Sequence, residues 1–83
     1  MIYNNRMSLM EKVRMAAYYV TCNNVCSTTK IQKHFVFHFN TASEVVDSLE
    51  KLGIVSDFDP EIKGRKVLIN SIEDLESKLD FYF

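Results

Sequence analysis

The stretch from Ser27 to Val55 constrains this chain more than any other, because it spells two short amphipathic helices with only a few residues between them. Ser27 is a residue type whose hydroxyl caps a helix N-terminus, and Ile31 and Phe35 follow on one helical face. Asn40 offers a second N-cap. After it, Ala42, Val45, Val46, Leu49 and Leu52 recur at the period of a helix with one buried stripe. Gly53 stands directly after the last apolar position, where a left-handed residue ends a helix without a Cβ clash. Two short helices joined by so tight a turn make a helix-turn-helix, the layout that presents its second helix to a DNA major groove.

The flanks extend this unit. Residues 8–21 read as an earlier helix with Leu9, Val13, Ala16, Ala17 and Val20 on one face, ending at Asn23-Asn24. The helix-turn-helix then occupies residues 27–35 and 41–52. Residues 54–58 read as a strand, 59–64 as a turn around Pro60 and Gly64, and 65–70 as a returning strand. The hairpin makes a wing. A rival reading leaves residues 67–69 as an extended tail, but Lys63-Gly64-Arg65 between two apolar runs favours the hairpin. Ser71 caps a last helix with Asp74 in its first turn and Ile72, Leu75 and Leu79 on its apolar face. The predicted order is α-α-α-β-β-α: a mainly α winged helix-turn-helix forming one domain over residues 1–83. Residues 1–7 are its N-terminal tail and 80–83 an aromatic C-terminal tail.

Eighty-three residues allow one small core, and the 47% apolar content fills it. Two glycines and one proline leave no room for a linker. No run reaches the roughly 20 apolar residues of a membrane span, and residues 1–6 lack the apolar core of a signal peptide. The expectation is a cytoplasmic protein with no membrane association. Net charge is −1, but it is unevenly placed: residues 1–40 carry five Lys/Arg against one acid, and residues 41–83 five against ten. Any footprint for a polyanion is therefore local.

Several residues carry a family resemblance. Ser27-Thr28-Thr29, Gln32-Lys33, Phe35, Phe39-Asn40, Ala42, Val45-Val46-Asp47, Leu49-Glu50 and Gly53-Ile54-Val55 follow one another in a characteristic pattern. It resembles the gamma domain of the FtsK/SpoIIIE DNA translocases, with Ser-Thr-Ser, Gln-Arg-Arg, Tyr-Asn-Arg-Ala-Ala-Arg and Leu-Glu-x-x-Gly-Ile-Val at these places. Arg65-Lys66-Val67-Leu68-Ile69 resembles the return strand of that family's wing. The resemblance covers residues 8–70 and implies a winged helix that reads short oriented sequences on a bacterial chromosome. The chain departs from it in three places. Thr41 and Glu44 stand where the family has the arginines of its recognition helix, and His38 where it has a turn glycine. The phosphate loop of the motor, Gly-x-x-x-x-Gly-Lys-Ser/Thr, is missing from the sequence, so the resemblance is to a free-standing domain of bacterial or mobile-element origin.

Candidate DNA contacts follow from the helix-turn-helix. Lys30, Lys33 and His34 lie on its first helix; Asn40, Thr41, Ser43, Glu44 and Ser48 lie on or next to its second; Lys63, Arg65 and Lys66 lie in the wing. Lysines and wing suit phosphates, and the second helix suits base edges. The alternative partner is a basic protein docked on the acidic ridge of Glu44, Asp47 and Glu50. Phe81, Tyr82 and Phe83 offer a homodimer contact. Of Phe35, Phe37 and Phe39, one or two are expected to plug the core. Cys22, Cys26, His34 and His38 form C-x3-C-x7-H-x3-H, but a zinc finger spaces its pairs by about twelve residues, so packed, reduced thiols and no metal are expected. No catalytic constellation stands out, and neither an enzyme nor a cofactor is expected.

Overall fold

Ser8 opens the first helix: its hydroxyl accepts the Glu11 N–H at 3.1 Å and donates to the Glu11 carboxylate at 3.3 Å. In the computed structural model, which describes residues 7–82, this helix is α1, Leu9–Asn23. Of the expected N-terminal tail only Met7 is among the described residues; at the other end, Phe83 and the side chain of Tyr82 lie outside them. Helix α1 buries Val13, Ala16, Ala17 and Val20 but leaves Leu9 exposed. It stops at Asn24 in the left-handed region, φ 54°.

Ser27 caps α2, Thr28–Phe35, as its composition predicts, by accepting the Lys30 N–H. The turn that follows differs from expectation. Val36, not His38, takes the left-handed conformation (φ 58°), while His38 is extended and is the N-cap of α3, Phe39–Lys51. Asn40 is not the cap and sits inside the first turn of α3. Phe37 explains the shift. Its ring stacks on Phe35 at 5.3 Å and is buried, with the Lys12 ammonium 5.7 Å from its centre. The chain must dip inward at residue 37, and the His38 carbonyl is then placed to accept the Ala42 N–H at 3.0 Å. Phe35 and Phe37 plug the core; Phe39 is exposed.

Helix α3 ends as the sequence predicts. Gly53 has φ 77°, its N–H bonds to the Glu50 carbonyl, and the Ile54 N–H reaches the Leu49 carbonyl. That pair of bonds is a Schellman cap. The chain leaves it as β1, Val55–Asp59, antiparallel to β2, Gly64–Val67, with Val55 opposite Val67, Phe58 opposite Arg65 and Asp59 opposite Gly64. Two residues, Ser56 and Asp57, face one, Lys66, and the Ser56 hydroxyl accepts the Lys66 N–H at 2.9 Å in place of a ladder bond. The second strand is shorter than the predicted 65–70.

The wing is also tied to the start of the helix-turn-helix. The Arg65 N–H donates to the Cys26 carbonyl at 2.8 Å, forming an isolated antiparallel bridge. Gly64 permits this approach: a Cβ there would lie 2.7 Å from the Cys26 oxygen. Helix α4, Ile72–Tyr82, is capped by the Ser71 hydroxyl on the Asp74 N–H and continues through residues 80–82, so the expected C-terminal tail begins inside a helix. Leu75 and Leu79 close the core formed by Val20, Ile31, Leu49 and Ile54. The order α-α-α-β-β-α is that of a winged helix.

Candidate nucleic-acid interface

Burying Ala42, Val45, Val46 and Leu49 turns the opposite stripe of α3 outward. Asn40, Glu44, Asp47 and Lys51 are exposed on it, and Thr41, Ser43, Ser48 and Glu50 are half-exposed at its edges. The two halves of the stripe differ. Near the N-terminus, Asn40, Thr41 and Ser43 have side chains with no hydrogen bond among the described residues, and Glu44 has no ion-pair partner there. Further along, the Ser48 hydroxyl donates to the Glu44 carbonyl at 2.9 Å. Asp47 and Glu50 both face Arg65.

Arg65 is the one charged residue among the eleven candidates that is not fully exposed. Its side chain retains 16% of its exposure. Nη1 donates to Glu50 Oε1 and, at 3.3 Å, to the Ser56 carbonyl; Nη2 lies 3.8 Å from Asp47 Oδ1. The wing cations that remain outward are Lys63 and Lys66. Lys63 has φ 52° at the end of a turn whose Asp59 carboxylate accepts the Glu61 N–H at 2.9 Å.

On α2, Lys30 and Lys33 are exposed and form no ion pair among the described residues. His34 is held differently: its ring stacks on Tyr19 at 4.1 Å and meets Phe35 edge-on at 4.7 Å. It belongs to a shallow cleft shared with Met15, Tyr18, Tyr19 and Cys22. A second groove, of about 160 Å³, runs between the start of α2 and the wing, lined by Ser27, Thr28, Thr29, Phe58, Lys63 and Arg65. The sequence pointed to Ser27 only as a cap and did not place Thr28, Thr29 or Phe58 on this groove. The signal for the threonines was the Ser-Thr-Thr motif itself; Phe58 gave none, since an aromatic residue in a strand reads as core.

The four Cys and His residues do not converge. Cys22 is exposed on α1, Cys26 is fully buried beneath the wing, His34 lies on Tyr19 and His38 starts α3. Among the described residues no three Cys, His, Asp or Glu side chains could hold a metal ion. Burial pushes the Cys26 thiol up to about 11, against the opposing pull of the Arg65 charge. No helix among the described residues is long and apolar enough to cross a membrane.

The family model of the FtsK gamma domain matches residues 6–70, covering α1 through β2. The chain belongs to the FtsK gamma domain family. That family is one of DNA-binding winged helices. Helix α4 lies beyond the matched region. Among curated proteins and solved structures nothing matches.

Proposed function

We propose that this gamma domain binds double-stranded DNA through the N-terminal half of α3 and holds the backbone with Lys30, Lys33, Lys63 and Lys66. One observation carries the reading. In a winged helix of a DNA-binding family, the exposed start of α3 keeps its polar side chains unengaged, with two lysines on the preceding helix that pair with no acid among the described residues. Asn40 suits the N6/N7 edge of adenine, and Glu44 accepts from the amino group of cytosine. Thr41 and Glu44 replace the arginines that the resemblance implies, so the preferred site differs from a guanine-rich one. The role is that of a small accessory or regulatory binding module without catalysis.

The test is fluorescence anisotropy with labelled duplexes at about 50 and 200 mM salt. Micromolar or tighter binding that weakens steeply with salt is expected. Lys33→Ala should weaken every duplex alike and flatten the salt dependence by about one phosphate contact, whereas Asn40→Ala should change the ranking of sequences. Equal losses on all duplexes from both variants would contradict this division of labour.

A second reading, docking of a basic protein, rests on the exposed carboxylate of Glu44. Asp47 and Glu50 contribute to such a site only by releasing Arg65. Glu44→Arg separates the two: tighter duplex binding supports a groove-facing Glu44, and unchanged duplex binding with loss of a captured basic partner supports the protein reading.

A further inference from the structure

Arg65 joins three separate parts of the chain. Its backbone N–H holds the Cys26 carbonyl in the link between α1 and α2. Its guanidinium reaches Glu50 and Asp47 on α3, and the Ser56 carbonyl on β1. At 16% exposure, most of its surface is spent on these contacts. The fork geometry matters, since one ammonium cannot span two carboxylates and a carbonyl in these directions. The acids it meets are spaced i, i+3 on α3 and lie on its flank toward the wing.

We propose that Arg65 is a positioning residue for DNA binding: an internal strut and counter-ion that sets the wing against α3, and not a phosphate ligand. The inference rests on the DNA reading for its functional part and on geometry alone for its structural part. Two consequences follow. The C-terminal half of α3 carries two carboxylates in a DNA-facing helix because Arg65 offsets one of their two charges from within, Glu50 being the closer partner. The phosphate-facing cations of the wing, Lys63 and Lys66, take their positions from a hairpin that Arg65 anchors.

Arg65→Lys and Arg65→Gln test this with two readouts. The first is hydrogen exchange of the free protein at the wing amides of Arg65, Lys66 and Leu68, all hydrogen-bonded across the hairpin or to Cys26 and Ile54. Both substitutions are expected to speed exchange there by tenfold or more while α1 and α4 are unaffected. The second is duplex affinity as a function of salt. Both are expected to lower affinity about tenfold on all sequences with the slope of log K against log salt unchanged.

A phosphate ligand behaves otherwise. Arg65→Lys, which keeps a point charge, would then bind like the parent, and Arg65→Gln would lose close to one unit of slope. Either result overturns the strut, as does parent-like wing exchange in both variants. If the parent binds no duplex at low salt, the DNA reading fails on its own, and wing exchange still decides whether Arg65 anchors the hairpin.

Discussion

Val36 carries the clearest local strain in the molecule. A β-branched side chain at φ 58° crowds the neighbouring carbonyl and costs about 1–2 kcal/mol relative to glycine, which has no Cβ. Val36 is 61% exposed, so little packing compensates. Val36→Gly should therefore stabilise the domain by about 0.5–1 kcal/mol once the greater freedom of glycine in the unfolded chain is deducted. Thermal melting should show this as a rise of a few degrees. A lower midpoint would mean that the valine packs usefully despite its backbone. Cys26 supplies a second residue-level test. Its thiol is raised from 9.0 to about 11 in the folded protein, so between these values the unfolded chain holds fewer protons than the native one. The contribution is intact below pH 9 and is lost as pH rises through 11. Stability measured by denaturant from pH 8 to 11 should fall more steeply for the parent than for Cys26→Ala; parallel curves would show that the thiol does not titrate with folding.

At the scale of elements, the sequence was most legible where a cap and a periodic stripe agree. Ser27 and Ser71 do the capping expected of them and Gly53 ends α3 in the left-handed region, while Ser8, read as the first residue of α1, turns out to be its cap. The start of α3 was misread because two residues compete for it. Asn40 has the better capping side chain, but burial of Phe37 fixes the backbone two residues earlier and leaves His38 as the cap without a side-chain bond. A core contact outweighed a preference worth about 1 kcal/mol. The hairpin was legible from Pro60 and Gly64, yet its attachment to Cys26 was not. A single backbone bridge between residues so far apart leaves no period in the sequence, and only the glycine beside it hints that two backbones meet. The candidate interface was half legible for the same reason. Exposure of Lys30, Lys33, Asn40 and Glu44 follows from helical phase, whereas the inward turn of Arg65 depends on Asp47 and Glu50 arriving from another element.

For the whole molecule, a net charge of −1 leaves no global attraction to DNA, so affinity must come from the few unpaired cations of α2 and the wing. The opposite end of the chain raises a different contact. Phe81 is 83% exposed on the last turn of α4, a large apolar surface for a helix end. Phe81→Ser should shift the mass seen by light scattering toward the 9.7 kDa monomer if that ring seats against a second copy. Parent and variant of identical mass at high concentration would remove the dimer reading.

The place of Cys26 beneath the wing gives the packing there a clock. Its thiol is fully buried, beside a groove that it lines together with Phe58, Gly64 and Arg65 of the hairpin. An alkylating reagent reaches that sulfur only when the structure around it opens. Cys22, exposed on the same chain, reacts throughout and reports the reagent's own speed. The ratio of the two labelling rates therefore reports how far the packing around Cys26, the wing included, opens in the native protein.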